Sequence, residues 1–254
     1  MSGIILAAGR GSRMGAMTAD RPKCLTVLAG QTLLDWQIKA LRAAGVSEIT
    51  LVRGYAGDRL PVADCQAVDN PRWADTNMVI SLCCAARYLE AEPCTVSYGD
   101  IVYHPSAVRE LMATEGDIVV AYDRLWSGLW KDRFNDPLDD AETFRTEDGR
   151  LVEIGGQVDD LARVKGQYMG LLKITPDGWR TIVSFIQTLA PADRDHIDAT
   201  TLLSQMLAGG AVIRTSPVDG QWCEVDTASD LELYETRLAQ ADRAGTHWDH
   251  DWRW

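Results

Sequence analysis

Residues Gly3 to Leu25 read GIILAAGRGSRMGAMTADRPKCL. Gly3 to Ala7 is a short apolar run, as a strand buried on both faces requires, and it gives way at once to Gly9, Gly11 and Gly15. Beyond the polar loop, Thr32 to Ala44 carries Leu34, Ile38 and Leu41 on one helical face. A strand, a glycine-rich loop and a helix in that order open a parallel α/β sheet.

The alternation continues down the chain. Glu48 to Val52 and Gln66 to Val68 have strand character, and Val79 to Leu89 reads as a helix that Thr76 or Asn77 caps. Cys94 to Tyr98 is a strand stopping at Gly99-Asp100, Pro105 to Ala113 is a helix with proline in its first turn, and Asp117 to Tyr122 is a further strand. This order predicts an α/β, Rossmann-like, doubly wound and mostly parallel sheet. Between Asp123 and Val164 the pattern changes, with strands at Glu142 to Thr146 and Leu151 to Ile154 flanking the turn Asp148-Gly149. We expect a small inserted lobe over about 123–164. Gln167 to Ile174, Val212 to Ser216 and Trp222 to Val225 are late strands, and Asp177 to Leu189 and Thr200 to Leu207 are amphipathic helices. Thr227 and Asp230 have the spacing of a capping box for a last helix. The expectation is one domain over 1–245 and a polar, aromatic tail over 246–254 that is loosely attached.

The 254 residues carry a net charge of −12, which repels polyanions, so DNA and RNA are excluded as expected partners. No apolar run approaches the roughly 18 residues of a membrane span, and no secretory leader is present, so a soluble, cytoplasmic protein is expected, with a homodimer left open. The six cysteines form no CxxC pair and read as free thiols.

Successive amides in a loop of this kind turn toward one anion, and glycine lets the chain approach phosphate closely. A dinucleotide fingerprint needs its third glycine one residue earlier than Gly15, and no G-K-[ST] follows as in a Walker loop. Arg13 inside the loop and Lys23 in Arg21-Pro22-Lys23 add the cations that a triphosphate requires and an ordinary turn does not. LAAGRGSRMG followed by RPKCL resembles the signature of the nucleotidyltransferases that activate sugar phosphates, phosphocholine and phosphonates, a family with the nucleotide-diphospho-sugar transferase type of fold. The resemblance implies that Leu6, Ala7, Ala8, Gly9, Gly11, Ser12 and Arg13 wrap a triphosphate and that Lys23 binds phosphate near the reacting phosphorus, with Lys23 and Arg13 as the catalytic pair.

Asp100 ends the strand VSYGD, at the sheet edge where ligands of such folds bind. Glu224 and Asp226 lie two apart on WCEVD and share one face of an extended strand, so they offer hard oxygens for Mg²⁺. The resemblance extends to YGD and EVDTASDL, where the family carries paired metal-binding aspartates; it assigns Asp100 and Asp226 to the metal and leaves Glu224 between metal and acceptor. The stretch TNMVISL from Thr76 to Leu82 resembles the base-reading region of cytidylyltransferases and implies Asn77, Ser81 and Tyr98 as nucleotide contacts.

WSGLWKDRFNDPLDDAETF, from Trp126 to Phe144, places Trp126 and Trp130 at helical i, i+4 spacing. They either form an aromatic wall for an ammonium group, at about 0.5–2 kcal/mol per ring, or cover the core of the lobe. In the first case Arg133, Lys165 or Lys173 would hold the phosphoryl end and Tyr168 would supply a third wall. With GQYMGLLKITPDGW this stretch resembles the phosphocholine and phosphonate branch of the family. That implies Mg²⁺-dependent transfer of CMP from CTP to a small phosphate or phosphonate acceptor such as phosphocholine or 2-aminoethylphosphonate. The alternatives are a sugar-1-phosphate nucleotidyltransferase using UTP, GTP or ATP, and a nucleotide-binding module without catalysis.

Overall fold

A computed structural model describes residues 1–61 and 64–254. β1 (Ser2–Ala7) runs through the glycine loop and a small hairpin, β2 (Val27–Leu28) with β3 (Gln31–Thr32), into α1 (Leu33–Ala43). Thr32 starts α1 with a reciprocal cap: its hydroxyl accepts from the Asp35 amide and the Asp35 carboxylate accepts from the Thr32 amide. β4 (Ile49–Arg53) and β5 (Gln66–Asp69) follow, then α2 (Met78–Cys84) and α3 (Ala86–Ala91). The helix expected over Val79 to Leu89 thus breaks at Ala85, whose ψ of 12° leaves the helical range.

The middle of the chain holds β6 (Cys94–Tyr98), β7 (Ile101–Tyr103), α4 (Pro105–Ala113), β8 (Ile118–Asp123) and α5 (Trp126–Arg133). The hairpin β9 (Glu142–Glu147) and β10 (Arg150–Gln157) turns at Asp148 and Gly149, both at positive φ, as a tight two-residue turn demands. β11 (Gln167–Ile174), α6 (Pro176–Thr188), α7 (Pro191–His196), α8 (Ala199–Ala208), β12 (Arg214–Val218), β13 (Trp222–Glu224) and α9 (Ala228–Ala244) complete the order. The capping box expected at Thr227 and Asp230 opens α9.

Nine strands form one sheet in the order β5-β4-β1-β6-β11-β8-β12-β10-β9, in which only β10 and β11 run against the rest. The hairpin of the inserted stretch therefore extends the edge of the main sheet. β11 lies between β6 and β8 and is antiparallel to both, so its first residues reach the edge where β6 and β8 end; Gln167 pairs with Asp123 and Tyr168 with Tyr122. β11 bulges between Tyr168 and Leu172, where Gly170 has φ +71°; a Cβ there would stand 2.6 Å from the Tyr98 ring, so only glycine lets that ring lie against the strand.

Residues 246–254 were expected to be loosely attached, and the structure corrects this. Trp252 is fully buried and meets Trp36 of α1 edge-on, with ring centroids 6.1 Å apart. His250 is buried with its Nε2 3.0 Å from Asp123 Oδ2, while the other Asp123 oxygen accepts from the Leu125 and Gly220 amides, each at 2.8 Å. A segment without an apolar period shows no element in its sequence, and here single side chains do the anchoring. Cys24, Cys94 and Cys223 are buried, and the other three cysteines are half-buried and free. No helix of the described residues is long and apolar enough to cross a membrane.

Trp252→Ala should lower the unfolding free energy by roughly 3–5 kcal/mol, as loss of a buried tryptophan does. Urea unfolding followed by far-UV circular dichroism measures this, and a change below about 0.5 kcal/mol, typical of a surface site, would show that the tail does not support the core.

Candidate active site

The loop after β1 folds into two tight turns, Ser12–Thr18 and Lys23–Leu25. Gly11 sits at φ +70°, and a Cβ on it would stand 2.8 Å from the Cβ of Lys23, so only glycine lets the lysine stem lie across the loop. The Gly11 carbonyl accepts from the Met14 amide at 3.0 Å and the Thr18 hydroxyl at 2.9 Å, which holds the turn closed. Leu6, Ala7, Gly9, Gly11, Ser12, Arg13, Lys23 and Asp100 line one cavity above the end of β1.

A second cavity adjoins it, with Ala8 and Gly9 on one side and Thr76, Asn77, Ser81 and Tyr98 on the other. Asn77, Thr76 and Ser81 in its wall already have partners. Asn77 donates from Nδ2 to the His196 carbonyl at 3.1 Å and accepts from the Met78 amide at 2.7 Å. The buried Asn70 donates to the hydroxyls of Thr76 and Ser81, each at 3.0 Å. Asn70 and the segment around His196 are thus part of this wall, although neither stands in a motif that the sequence displays.

Asp100 follows β6, Glu224 ends β13 and Asp226 lies just before α9. β13 pairs with β7 so that Glu224 stands opposite Ile101, which brings the two acidic segments together. One oxygen from each of Asp100, Glu224 and Asp226 lies within 4.8 Å of the others. Lys23 Nζ sits between two of them, donating to Asp100 Oδ2 at 2.9 Å and to Asp226 Oδ1 at 2.7 Å, and Arg13 reaches the same Asp226 oxygen at 2.7 Å. Burial disfavours the Lys23 charge, but the two carboxylates outweigh it and raise its pKa above the ordinary lysine value. Burial likewise pushes Asp226 upward, and Lys23, Arg13 and Arg133 together bring it below the usual carboxylate range. Glu224 goes the other way, because burial and the neighbouring Asp226 charge exceed the help it receives from Arg133. Among the described residues, Asp100 Oδ1 is buried without a hydrogen-bond partner. A free lone pair beside two further hard oxygens suits a divalent cation such as Mg²⁺, which Asp100, Glu224 and Asp226 would hold.

A third cavity is lined by Arg13, by the rings of Tyr98, Tyr168 and Trp222, and by Asp140, Glu142, Asp198, Glu224 and Asp226. The Tyr98 and Tyr168 hydroxyls are 3.3 Å apart and their rings meet edge-on at 5.8 Å. Tyr168 and Glu224, expected at the acceptor, do line this cavity. Four other residues expected there do not stand free in it. Trp126 and Trp130 are buried, and Trp130 stacks on Trp222 at 6.1 Å with 11° between the planes, so their i, i+4 spacing marks the core face of α5. Lys173 lies toward the opposite end of β11, opposite Thr95 and Val119, and its buried ammonium donates to the Thr114 carbonyl. Arg133 has 1% of its side chain exposed and is enclosed by Glu224, Asp226 and Asp230. A basic residue's sequence neighbourhood does not reveal on which side of a sheet or helix its charge is satisfied.

Residues 3–147, which take in the glycine loop, Lys23 and Asp100, match the model of the MobA-like NTP transferase domain. The chain belongs to this family. The transferase is 32% identical, over 92% of its length and 98% of the other's, to the CTP:phosphoglutamine cytidylyltransferase of Campylobacter jejuni. Its fold is that of the inositol-1-phosphate CTP transferase from T. maritima, with a TM-score of 0.74 at 21% identity, covering 97% of this chain and 98% of that one. The CTP:phosphocholine cytidylyltransferase from Streptococcus pneumoniae has the same fold, with a TM-score of 0.67 at 19% identity and coverage of 93% and 98%. This protein is therefore an enzyme of the nucleotidyltransferase class.

In this transferase Gly11→Ala would force a side chain into the left-handed region and against Lys23. The strain of roughly 1–3 kcal/mol should appear as lower stability together with reduced nucleotidyl transfer, since the lysine must shift. Wild-type turnover in the purified variant would show that the loop does not set the place of Lys23.

Proposed function

We propose that this enzyme transfers CMP from CTP to a small phosphorylated or phosphonate acceptor with Mg²⁺, releasing pyrophosphate. The observation that carries the reading is the place of Lys23, which joins the anion-binding loop to the acids: its stem lies across Gly11 and its ammonium between Asp100 and Asp226. A triphosphate along the loop would present its phosphorus to that ammonium and to Arg13. The base would then fall in the adjoining cavity with Asn77, Ser81 and Tyr98. The third cavity suits an acceptor with a cationic end, since five carboxylates and three aromatic rings line it, with Arg13 also in its lining for the phosphoryl end. Phosphocholine and 2-aminoethylphosphonate have this form. The Campylobacter jejuni relative, whose name gives phosphoglutamine as acceptor, supports a small phosphorylated metabolite with an amino group.

An acceptor phosphate or phosphonate is already ionised near neutral pH, so its oxygen needs no strong base to attack the α-phosphorus. A new bond forms from that oxygen to the α-phosphorus as the bond to the bridging α–β oxygen breaks, and the electron pair leaves with pyrophosphate. The barrier is repulsion between anions. Arg13 and the loop amides neutralise the triphosphate, and Lys23 holds its charge beside the reacting phosphoryl group throughout, because its raised pKa keeps the proton on Nζ. Asp100, Glu224 and Asp226 would hold Mg²⁺, which would supply further positive charge to offset that of the triphosphate.

Pyrophosphate release should be supported by CTP far better than by UTP, GTP or ATP across a panel of phosphocholine, 2-aminoethylphosphonate, phosphoglutamine, inositol 1-phosphate and glucose 1-phosphate. The amine-bearing acceptors should react fastest. Preference for another triphosphate with a sugar 1-phosphate would replace this reading with that of a sugar nucleotidyltransferase, and silence with every pair would point to a binding module. Removal of Lys23 should be felt in chemistry: Lys23→Ala is expected to lower kcat by roughly 10²–10³, the usual loss for one preorganised donor to a developing charge, with a native circular dichroism spectrum. A folded variant within about twofold of wild type would remove Lys23 from the reaction.

A further inference from the structure

Lys23 and Arg13 enter the reaction above, and the third cation of the cluster does not. Arg133 ends α5 with 1% of its side chain exposed, and its guanidinium lies 4.8 Å from the centre of the Trp130 ring and 5.0 Å from that of Phe134. Its Nε is 3.0 Å from Asp230 Oδ1, one terminal nitrogen is 3.4 Å from Glu224 Oε2, and the other is 3.3 Å from Asp226 Oδ2 and 3.4 Å from Asp230 Oδ2. Asp230 is fixed independently, because Oδ2 accepts from the Asp226 and Thr227 amides at 2.8 Å each as part of the cap of α9. Arg133 therefore has an anchor built into the backbone on one edge and both acids of the Glu224–Asp226 pair on the other.

We infer that Arg133 is a positioning residue that sets the orientation of Glu224 and Asp226 for a divalent cation, an inference that rests on the nucleotidyl-transfer reading. Asp226 is divided between two sets of donors, with Oδ1 facing Lys23 and Arg13 and Oδ2 facing Arg133, so its carboxylate plane is pinned from both sides. A planar fork lying against two rings can address three carboxylates in set directions, which a single ammonium cannot. Buried ion pairs are a weak source of stability, so orientation is the property this arrangement secures. Charge alone would act in the opposite sense: a fixed cation next to metal-ligating oxygens repels the metal. The two roles therefore predict changes of opposite sign when Arg133 is replaced.

Binding of Mn²⁺ to the protein in the presence of α,β-methylene CTP, an analogue that cannot transfer CMP, reads this as the loss of free-ion paramagnetic resonance signal beyond that caused by the analogue alone, whose phosphates also bind Mn²⁺. Arg133→Lys keeps the charge and loses the fork, and its Mn²⁺ dissociation constant should rise about tenfold or more, the size seen when groups that orient metal ligands are removed. Arg133→Gln should weaken binding in the same direction. Thermal unfolding checks that each variant is folded, and Arg133→Lys, which leaves no buried acid without a counter-ion, decides the matter if Arg133→Gln is not. Unchanged or tighter Mn²⁺ binding in a folded variant overturns the inference while leaving the reaction intact. Absence of Mn²⁺ binding by the wild-type protein with the analogue removes the metal site itself, and the inference with it.

Discussion

Asp226 is 4% exposed, and an enclosed carboxylate of this kind is costly unless cations and donors meet it directly. Three do, and they arrive from distant parts of the chain: Arg13 and Lys23 from the loop after the first strand, and Arg133 from the end of α5. The rest of the site follows from satisfying that one group. Lys23 can reach it only by crossing Gly11, whose missing Cβ leaves the path open. Glu224 and Asp226 stand beside Asp100 only because β13 pairs with β7 next to the end of β6. The glycine loop and Asp226, with 203 positions between Lys23 and the carboxylate it meets, thus form one electrostatic unit with Asp100.

Much of this is legible in the chain itself. The loop, its two cations and the strand-end acids appear in the sequence because each depends on local geometry: a strand end, a positive φ, two residues on one face of a strand. The α/β alternation and the cap at Thr227 are local for the same reason. The third cavity, proposed for the acceptor, resisted reading because its residues come together only through tertiary packing. Trp126 and Trp130 satisfy the spacing of an aromatic wall and of a buried helical face equally well, and Trp222, which no periodicity singles out, is the tryptophan in the cavity lining, beside Tyr98 and Tyr168. Asp140 and Glu142 lie two apart in the stretch after α5, whereas Asp198 comes from the start of α8, far along the chain, and shares no motif with them.

Arg133 and Lys173 show the same limit from the side of charge. Each is a basic residue in a stretch that invites an anion, yet each spends its donors inside the protein, on carboxylates in one case and on a carbonyl in the other. The fate of a long cationic side chain is set by which acceptors the fold leaves unsatisfied nearby, and that quantity belongs to three dimensions. The tail behaves alike: His250 and Trp252 fill places prepared by Asp123 and Trp36, far from them in sequence.

The antiparallel course of β11 has a consequence for how this enzyme can change over evolutionary time. In most sheets of this class the ligand edge is built from loops, which lengthen and shorten freely. Here Gln167 and Tyr168 stand at that edge from within a strand hydrogen-bonded on its β8 side, next to a bulge fitted to the Tyr98 ring. An inserted or deleted residue would slip the register and turn every following side chain to the opposite face. Diversification of this wall is therefore confined to exchanging side chains in place, while the segment carrying Asp140 elsewhere in the lining remains open to changes of length.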